Sequence, residues 1–383
     1  MISIKDKIDC CGCSACVQTC PKQCIRLEED NEGFLYPSVN KSLCVECGQC
    51  DNVCPMLHGH EPQEPVGVYA ATYPDEGIRM QSSSGGIFSL IAENIIRQGG
   101  VVFGAAFNED WDVTHCFAET VDGIARFRGS KYVQSRTGTT YAEAERFLKA
   151  GRKVLYSGTP CQIAGLKSFL RKEYGNLLTV DCVCHGVPSP GIFREYLRSA
   201  VQPINEVNFR DKRTGWKHFS VTVKSEDKES SSVYHDNGYM QGFLGNLFLR
   251  PSCYGCRFRE GRSTSDITLG DFWGIDQIRP ELDDDKGISI VITNAPHADN
   301  LLKTLRGTLS EMLLEDAMEH NPSIRTSVSV PSLRRVFFAL WKRIGFKAAL
   351  KICTDSSIPY RAFRKIIRTF VVRSYEKSVI YWK

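Results

Sequence analysis

Cys10-Cys11-Gly12-Cys13-Ser14-Ala15-Cys16-Val17-Gln18-Thr19-Cys20-Pro21 and Cys44-Val45-Glu46-Cys47-Gly48-Gln49-Cys50-Asp51-Asn52-Val53-Cys54-Pro55 carry one spacing twice, C-x2-C-x2-C-x3-C-P. Three cysteines in this order wrap one cubane 4Fe-4S cluster, and the fourth reaches across to a second. Cys10, Cys13, Cys16 and Cys54 are therefore expected to hold cluster 1, and Cys20, Cys44, Cys47 and Cys50 to hold cluster 2. The proline after each fourth cysteine redirects the chain between the two clusters. Zinc is the alternative for paired C-x2-C runs, but it takes four ligands per ion and has no use for a proline-ended run repeated twice. Disulfides are disfavoured, because thiols so close on a tight loop are poorly placed to pair. The pattern implies single-electron transfer at low potential.

Composition narrows the setting. The chain has 383 residues and 17 cysteines, and no apolar segment follows Met1. Many thiols without a secretion signal point to a reducing cytoplasm. The length suggests two or three domains. No run of 18 apolar residues is present, so no membrane-spanning helix is expected. The net charge of +4 is uneven: residues 331–383 hold 13 Lys/Arg against Asp355 and Glu376, which leaves an acidic body.

Residues 1–60 read as a duplicated ferredoxin-like module, with short strands at Cys24–Leu27 and Gly33–Pro37 joined by the acidic turn Glu28–Glu32. Cys11 and Cys24 fall outside the spacing and read as packing residues. His58–Pro65 is a linker. Strand Val66–Tyr73, the turn Ser82–Gly86, helix Ile87–Arg97 and strand Val101–Phe107 then follow. A second unit runs through helix Tyr141–Ala150, strand Lys153–Tyr156, helix Cys161–Arg171 with Pro160 at its start, and strand Leu177–Cys182. Val207–Phe209 and Phe219–Val223 read as further strands, followed by a polar hairpin tip at Glu226–Ser232. Ser289–Thr293 reads as a core strand and Asn300–Leu314 as a helix. Two amphipathic helices end the chain, one placing Leu333, Phe337, Leu340 and Ile344 on a face, the other Phe363, Ile366, Phe370 and Val371. The fold class is α+β: a dicluster ferredoxin-like module (1–60), an α/β flavin-binding domain in two parts (66–150 and 151–320) and a basic helical tail (331–383).

Ser83-Ser84-Gly85-Gly86, Ser157-Gly158-Thr159-Pro160-Cys161-Gln162, Cys184-His185-Gly186-Val187-Pro188-Ser189, and the Cys253/Cys256 pair with Gly270-Asp271-Phe272-Trp273-Gly274 occur in this order. Over roughly residues 1–320 they make the chain resemble the coenzyme F-420 hydrogenase/dehydrogenase beta-subunit family. That family includes beta subunits of deazaflavin-reducing hydrogenases and ferredoxin-dependent enzymes such as 7-hydroxymethyl chlorophyll a reductase. The resemblance implies FAD in the middle domain beside a third 4Fe-4S cluster, with Cys161, Cys184, Cys253 and Cys256 at the family's cysteine positions and Lys131 beside the flavin. Cys182 could exchange roles with Cys184. Structural zinc, or a reactive thiol at Cys161 on a helix N-terminus, are the alternatives.

The residues give the flavin weaker support of their own. A serine/glycine turn at a helix start offers free N–H groups and a positive dipole end, both suited to pyrophosphate. Ser83, Ser84, Gly85 and Gly86 are the phosphate candidates, with an ordinary capping turn as the plain alternative. Gly158 and Thr159 form a second sharp turn. Asp271 would bind a ribityl hydroxyl or brace its own turn. Trp216 and Trp273 would stack on a ring system or simply fill core. His185 is the candidate proton donor, or else a structural histidine bound to a carbonyl.

The expected function is an iron-sulfur flavoprotein oxidoreductase. It would pass electrons between clusters and FAD, to or from a small organic substrate or a soluble carrier such as ferredoxin, a deazaflavin or a nicotinamide. A non-catalytic electron-transfer subunit is the alternative, and an assembly factor with structural clusters a third class. The basic tail reads as a helix pair packed on the body, a dock for an acidic carrier, or a contact with the inner membrane face through Phe337, Trp341 and Phe370. No nucleic-acid module is present.

Overall fold

The computed structural model describes residues 1–355, 357 and 360. In the N-terminal module each cysteine run ends in a one-turn helix, Ala15–Gln18 and Gln49–Asn52. Strands β1 (Ile25–Glu29) and β2 (Leu35–Val39) pair antiparallel with Ile25 opposite Val39. Asp30 Oδ1 closes the connecting turn by accepting from the N–H groups of Glu32 and Phe34, each at 2.9 Å.

The body adds β3 (Gly67–Thr72), β4 (Val101–Phe107), β5 (Val113–Ala118), β6 (Val154–Gly158), β7 (Leu177–Cys182), β8 (Glu206–Asp211), β9 (Ser220–Lys224), β10 (Glu229–Val233), β11 (Ile267–Asp271), β12 (Ser289–Thr293) and β13 (Thr308–Glu311). Eight of these form one sheet in the order β13-β3-β12-β11-β7-β6-β4-β5, and β8–β10 form a separate three-stranded sheet. Strand β4 runs parallel to β6, β6 to β7, and β7 to β11. Strand β12 is antiparallel to both β11 and β3, so β3 shares the direction of the other four. Their C-terminal ends therefore open on one edge, where sheets of this kind place ligands.

The apolar runs at Val101–Phe103 and Ile290–Ile292 form strands because helices cover both faces. Helices Ile87–Arg97 and Pro296–Thr304 pack Ile87, Ile91, Ala298 and Leu302 against Leu155, Val180 and Val291. On the other face, helices Thr140–Lys149 and Pro160–Leu170 pack Tyr141, Leu148, Ile163 and Leu166 against Val101, Phe103 and Tyr156. Cys13, Ala15 and Val53 of the cysteine loops join that second cluster, so the ferredoxin module shares a core with the body. Gly165 makes the approach possible, because a Cβ there would stand 2.8 Å from Cys13 Cβ and 2.9 Å from its Sγ.

Three expectations change. The helix expected over Asn300–Leu314 is instead a helix over Pro296–Thr304 followed by β13, since the chain turns extended at Leu305 and Thr308–Glu311 finds a partner in β3. The polar tip Glu226–Ser232 is largely strand β10, whose serines alternate along an exposed edge. The first tail helix, Arg334–Ile344, lies inside the body's core. Its Phe337 is 0 % and Trp341 8 % exposed, so neither ring is available to enter a bilayer. A further helix, Phe346–Thr354, packs beside it. The expected helix around Phe363, Ile366, Phe370 and Val371 lies outside the described residues. Among the described residues no helix is long and apolar enough to cross a membrane.

Candidate functional site

The cysteine loops come together in two sets. Burial pushes the Cys16 thiol up to about 12, with Cys10, Cys54 and Cys50 adding to the rise. Cys13 lies beside Cys16 and Cys10. Cys20, Cys44, Cys47 and Cys50 line a second, small hollow, where Ile2 N–H donates to Cys50 Sγ at 3.2 Å. Cys24 lines it too, with Sγ 3.4 Å from Cys20 Sγ. Among the described residues, no three His, Cys, Asp or Glu side chains close to the spacing of a single metal ion.

A third set gathers where β6 and β7 end. Gly158 closes β6. Thr159 then caps helix Pro160–Leu170 reciprocally with Gln162, whose Oε1 accepts from Thr159 N–H at 3.0 Å. That cap sets Cys161 on the first turn. Cys184 follows the end of β7 at Cys182. A short 3-10 turn, Pro251–Gly255, carries Cys253, and Cys256 is held by its N–H to Ser327 Oγ at 3.0 Å. Cys161, Cys184, Cys253 and Cys256 line one cavity of about 510 Å³, joined by Cys182 and by Cys11 from the first cysteine loop. Cys11 shares a hydrogen bond with Cys161, which pushes the Cys161 thiol well up. A hydrogen bond from Cys182 lowers Cys184 to about 7. Burial lifts Cys253 and brings Cys256 to about 11.

The cavity extends past the thiols. Linker residues Pro62–Pro65 form one wall, held by Gln63 N–H to Gly261 O at 2.9 Å. Asp181, Thr268 and Ile292 line it from the sheet. Two of its buried residues keep polar atoms without a partner, Asp181 Oδ1 and Arg259 Nε. Burial raises the Asp181 carboxyl to about 6, against the Ser263, Thr268 and Ser265 hydroxyls that lower it.

The flavin candidates occupy the same edge of the sheet. Ser83 Oγ accepts from Ser130 N–H at 2.6 Å, Ser84 Oγ donates to Ile288 O at 2.6 Å, and Gly85 N–H donates to Ser289 Oγ at 3.0 Å. What the turn still offers an anion is the first N–H groups of helix Ile87–Arg97, beginning after Gly86. Arg210 also borders the turn, donating to Ser83 O at 3.0 Å while its Nε stays buried and unpartnered. Lys131 donates to Arg126 O and Arg128 O, each at 2.9 Å, and desolvation lowers its ammonium to about 7. Asp271 accepts both Arg210 nitrogens, at 2.8 and 3.0 Å, and Trp216 Nε1 at 2.9 Å. Trp216 and Trp273 stack on each other, centroids 4.8 Å apart. The His185 ring meets Asn246 Oδ1 at 2.7 Å, a side chain where a carbonyl was expected, and burial lowers its pKa.

Comparison with known families matches residues 9–57 to the 4Fe-4S dicluster domain and residues 151–313 to the C terminus of the coenzyme F420 hydrogenase/dehydrogenase beta subunit. The chain joins a dicluster iron-sulfur domain to the C-terminal domain of such beta subunits. No curated protein matches it. Solved structures that match include a chain of the xenon-derivatised F420-reducing [NiFe] hydrogenase complex from Methanosarcina barkeri. It is 15 % identical, with a TM-score of 0.46, over 68 % of this chain and 91 % of that one. Cys161, Cys184, Cys253 and Cys256 all fall inside the beta-subunit match, as do Gly158, Thr159, His185 and Asp271. Ser83–Gly86 and Lys131 lie outside both matched regions.

Sequence reasoning assigned no site role to four residues here. Cys11, expected only to pack, hydrogen-bonds to both Cys13 and Cys161. Asp181 had no motif to mark it. Arg250 and Arg259 flank the Cys253/Cys256 pair in sequence, and that adjacency was the one available signal.

Proposed function

We propose that the chain is an iron-sulfur flavoprotein oxidoreductase, with clusters 1 and 2 in the ferredoxin module, a third 4Fe-4S cluster on Cys161, Cys184, Cys253 and Cys256, and FAD at the sheet edge. The observation that carries the reading is the gathering of those four cysteines, from three separate segments, around a cavity that Cys11 of the first cysteine loop also reaches. Thiolate-bound clusters would give such a chain of cysteines a common purpose, since clusters within tunnelling distance pass electrons one at a time and a flavin collects two.

The remainder of the 510 Å³ cavity is sized for a small organic molecule or a flavin ring. The free polar atoms of Asp181 and Arg259 provide an acceptor and a donor for it. The pyrophosphate of FAD would meet the first turn of helix Ile87–Arg97 and Arg210 beside Ser83, with Lys131 as a nearby cation. Electrons would arrive from ferredoxin or a comparable carrier at cluster 2, where Cys47 is exposed.

Iron, acid-labile sulfide and flavin counted per chain after anaerobic purification test this. The expected result is about twelve iron and one FAD, falling to about eight iron in Cys253→Ala and unchanged in Cys182→Ser. About eight iron and no flavin in the unaltered chain would refute the third cluster and the flavin together. Turnover of a small molecule by the isolated chain separates an enzyme from an electron-transfer subunit that works only within a complex.

A further inference from the structure

Among the described residues five Arg and Lys side chains are buried: Arg210, Lys212, Arg250, Arg259 and Arg334. Burying a cation is costly unless a countercharge is buried with it. Arg210 has Asp271, and Arg334 has Glu32. Lys212 donates to the carbonyls of Arg79, Ser84 and Lys286, and burial lowers its ammonium to about 7. A lysine can shed its proton in this way, whereas a guanidinium cannot.

Arg250 and Arg259 have neither escape. Arg250 is 0 % exposed. Its Nε donates to Cys10 O at 2.7 Å and Nη1 to Gln134 Oε1 at 2.9 Å. Nη2 is shared between Leu35 O at 3.0 Å and Cys10 Sγ at 3.4 Å. The Tyr36 ring lies 4.2 Å away. All of these partners are neutral dipoles or a thiol. Gly12, at φ +76°, leaves room for Gln134 and Arg250 together, since a Cβ there would stand 2.5 Å from Gln134 Nε2 and 2.9 Å from Arg250 Nη1. Arg259 repeats the arrangement at the third cysteine set, donating to Cys184 O and His185 O. Both carboxylate-free guanidinium groups thus stand against cysteines expected to bind clusters. A cluster held by four thiolates is an anion, and its negative charge grows by one with each electron it accepts.

We propose that Arg250 is the countercharge of cluster 1 and raises its reduction potential above that of cluster 2, whose cysteines no buried cation touches among the described residues. The inference rests on the cluster assignment under Proposed function. One electron taken from a one-electron carrier at cluster 2 then runs downhill to cluster 1 with no proton transfer. There it stands one residue, Cys11, from the cavity of the third set.

The test is a redox titration followed by electron paramagnetic resonance on the full chain, on Arg250→Gln and on Arg250→Lys, with iron counted first. Full iron in each sample upholds the cluster assignment, so that a failure of either idea can be told from a failure of the other. In Arg250→Gln one ferredoxin-type cluster is expected to become at least tenfold harder to reduce, which is 59 mV for one electron, while the other holds its value. Arg250→Lys, which keeps the charge, falls between. If Arg250→Gln does not load with iron, the unaltered chain decides. Its two ferredoxin-type clusters must then differ at least tenfold, with the less reducible one identified as cluster 2 by its response to Cys47→Ser. Equal potentials in the unaltered chain, or unmoved potentials in a fully loaded Arg250→Gln, overturn the proposal.

Discussion

Replacing Arg334 by Met would leave the Glu32 carboxylate buried and alone. The pair is bidentate, with Arg334 Nη1 2.8 Å from Glu32 Oε1 and Nη2 2.5 Å from Oε2, and both side chains are under 10 % exposed. Arg334 also donates to Leu249 O and Tyr254 Oη, each at 3.0 Å. Removing one member of a buried pair costs about 3–5 kcal/mol, because the other keeps its desolvation penalty without its partner. Glu32→Gln leaves the guanidinium without its countercharge, with only neutral acceptors at Leu249 O, Tyr254 Oη and the new amide, so a loss of the same order is expected. The double variant Glu32→Gln/Arg334→Met should be more stable than the sum of the two losses by about 1–3 kcal/mol, because the second change removes the group that the first had orphaned. Urea unfolding of all four proteins, loaded with iron and at one protein concentration, gives this cycle. Strict additivity would refute the argument, and so would a loss below about 1 kcal/mol in Arg334→Met. Either result would mean that water already reaches Glu32 and that the tail helix rests on the body without being locked to it.

Two further outcomes follow from packing and burial. Gly165→Ala should destabilise the chain by about 1–3 kcal/mol through overpacking against Cys13 and Tyr141, and should lower iron content at cluster 1; a gain of about 1 kcal/mol, the ordinary return for removing a helical glycine, would show that the loop yields. His115, buried and pushed down to about 4 by desolvation, contributes about 3 kcal/mol of stability that is complete above its ordinary pKa and disappears as pH falls from about 6.5 to about 4; His115→Gln should flatten the stability profile over that window, and an unchanged slope would place the titrating group elsewhere.

What could be read from the chain was what its neighbours in sequence decide. Ligand spacing is local, so the two cysteine runs name their chemistry without a fold. Helix Ile87–Arg97 and strands β4, β7 and β12 have the bounds expected, because each is an apolar stretch between strong breakers. Strand β13 was hidden because Thr308–Glu311 is mostly polar and becomes a strand only by lying beside β3. The tail looked like a surface element because its charge dominates its composition. Yet Val336, Phe337, Phe338 and Leu340 fill the core, and Arg334 finds its carboxylate 302 residues away. No local pattern carries that pairing, nor the meeting of Arg250 with Cys10. The four cysteines of the third set could be matched to a family by motif, but the cavity they share follows from where β6 and β7 end, which only the parallel sheet determines.

The grip of the body on the first cysteine loop also orders events during synthesis. Cys11 O waits for Gln134, 123 residues later, Cys10 for Arg250, 240 residues later, and Glu32 for Arg334. Both cysteine runs leave the ribosome long before any of these partners exists, and β3 cannot take its place in the sheet until β12 and β13 have been made. The loops are thus enclosed in stages, by Gln134 first, then by Arg250, and last by Arg334. A chain that closed before loading would hold the buried Arg250 guanidinium against a neutral thiol, with no countercharge beside it.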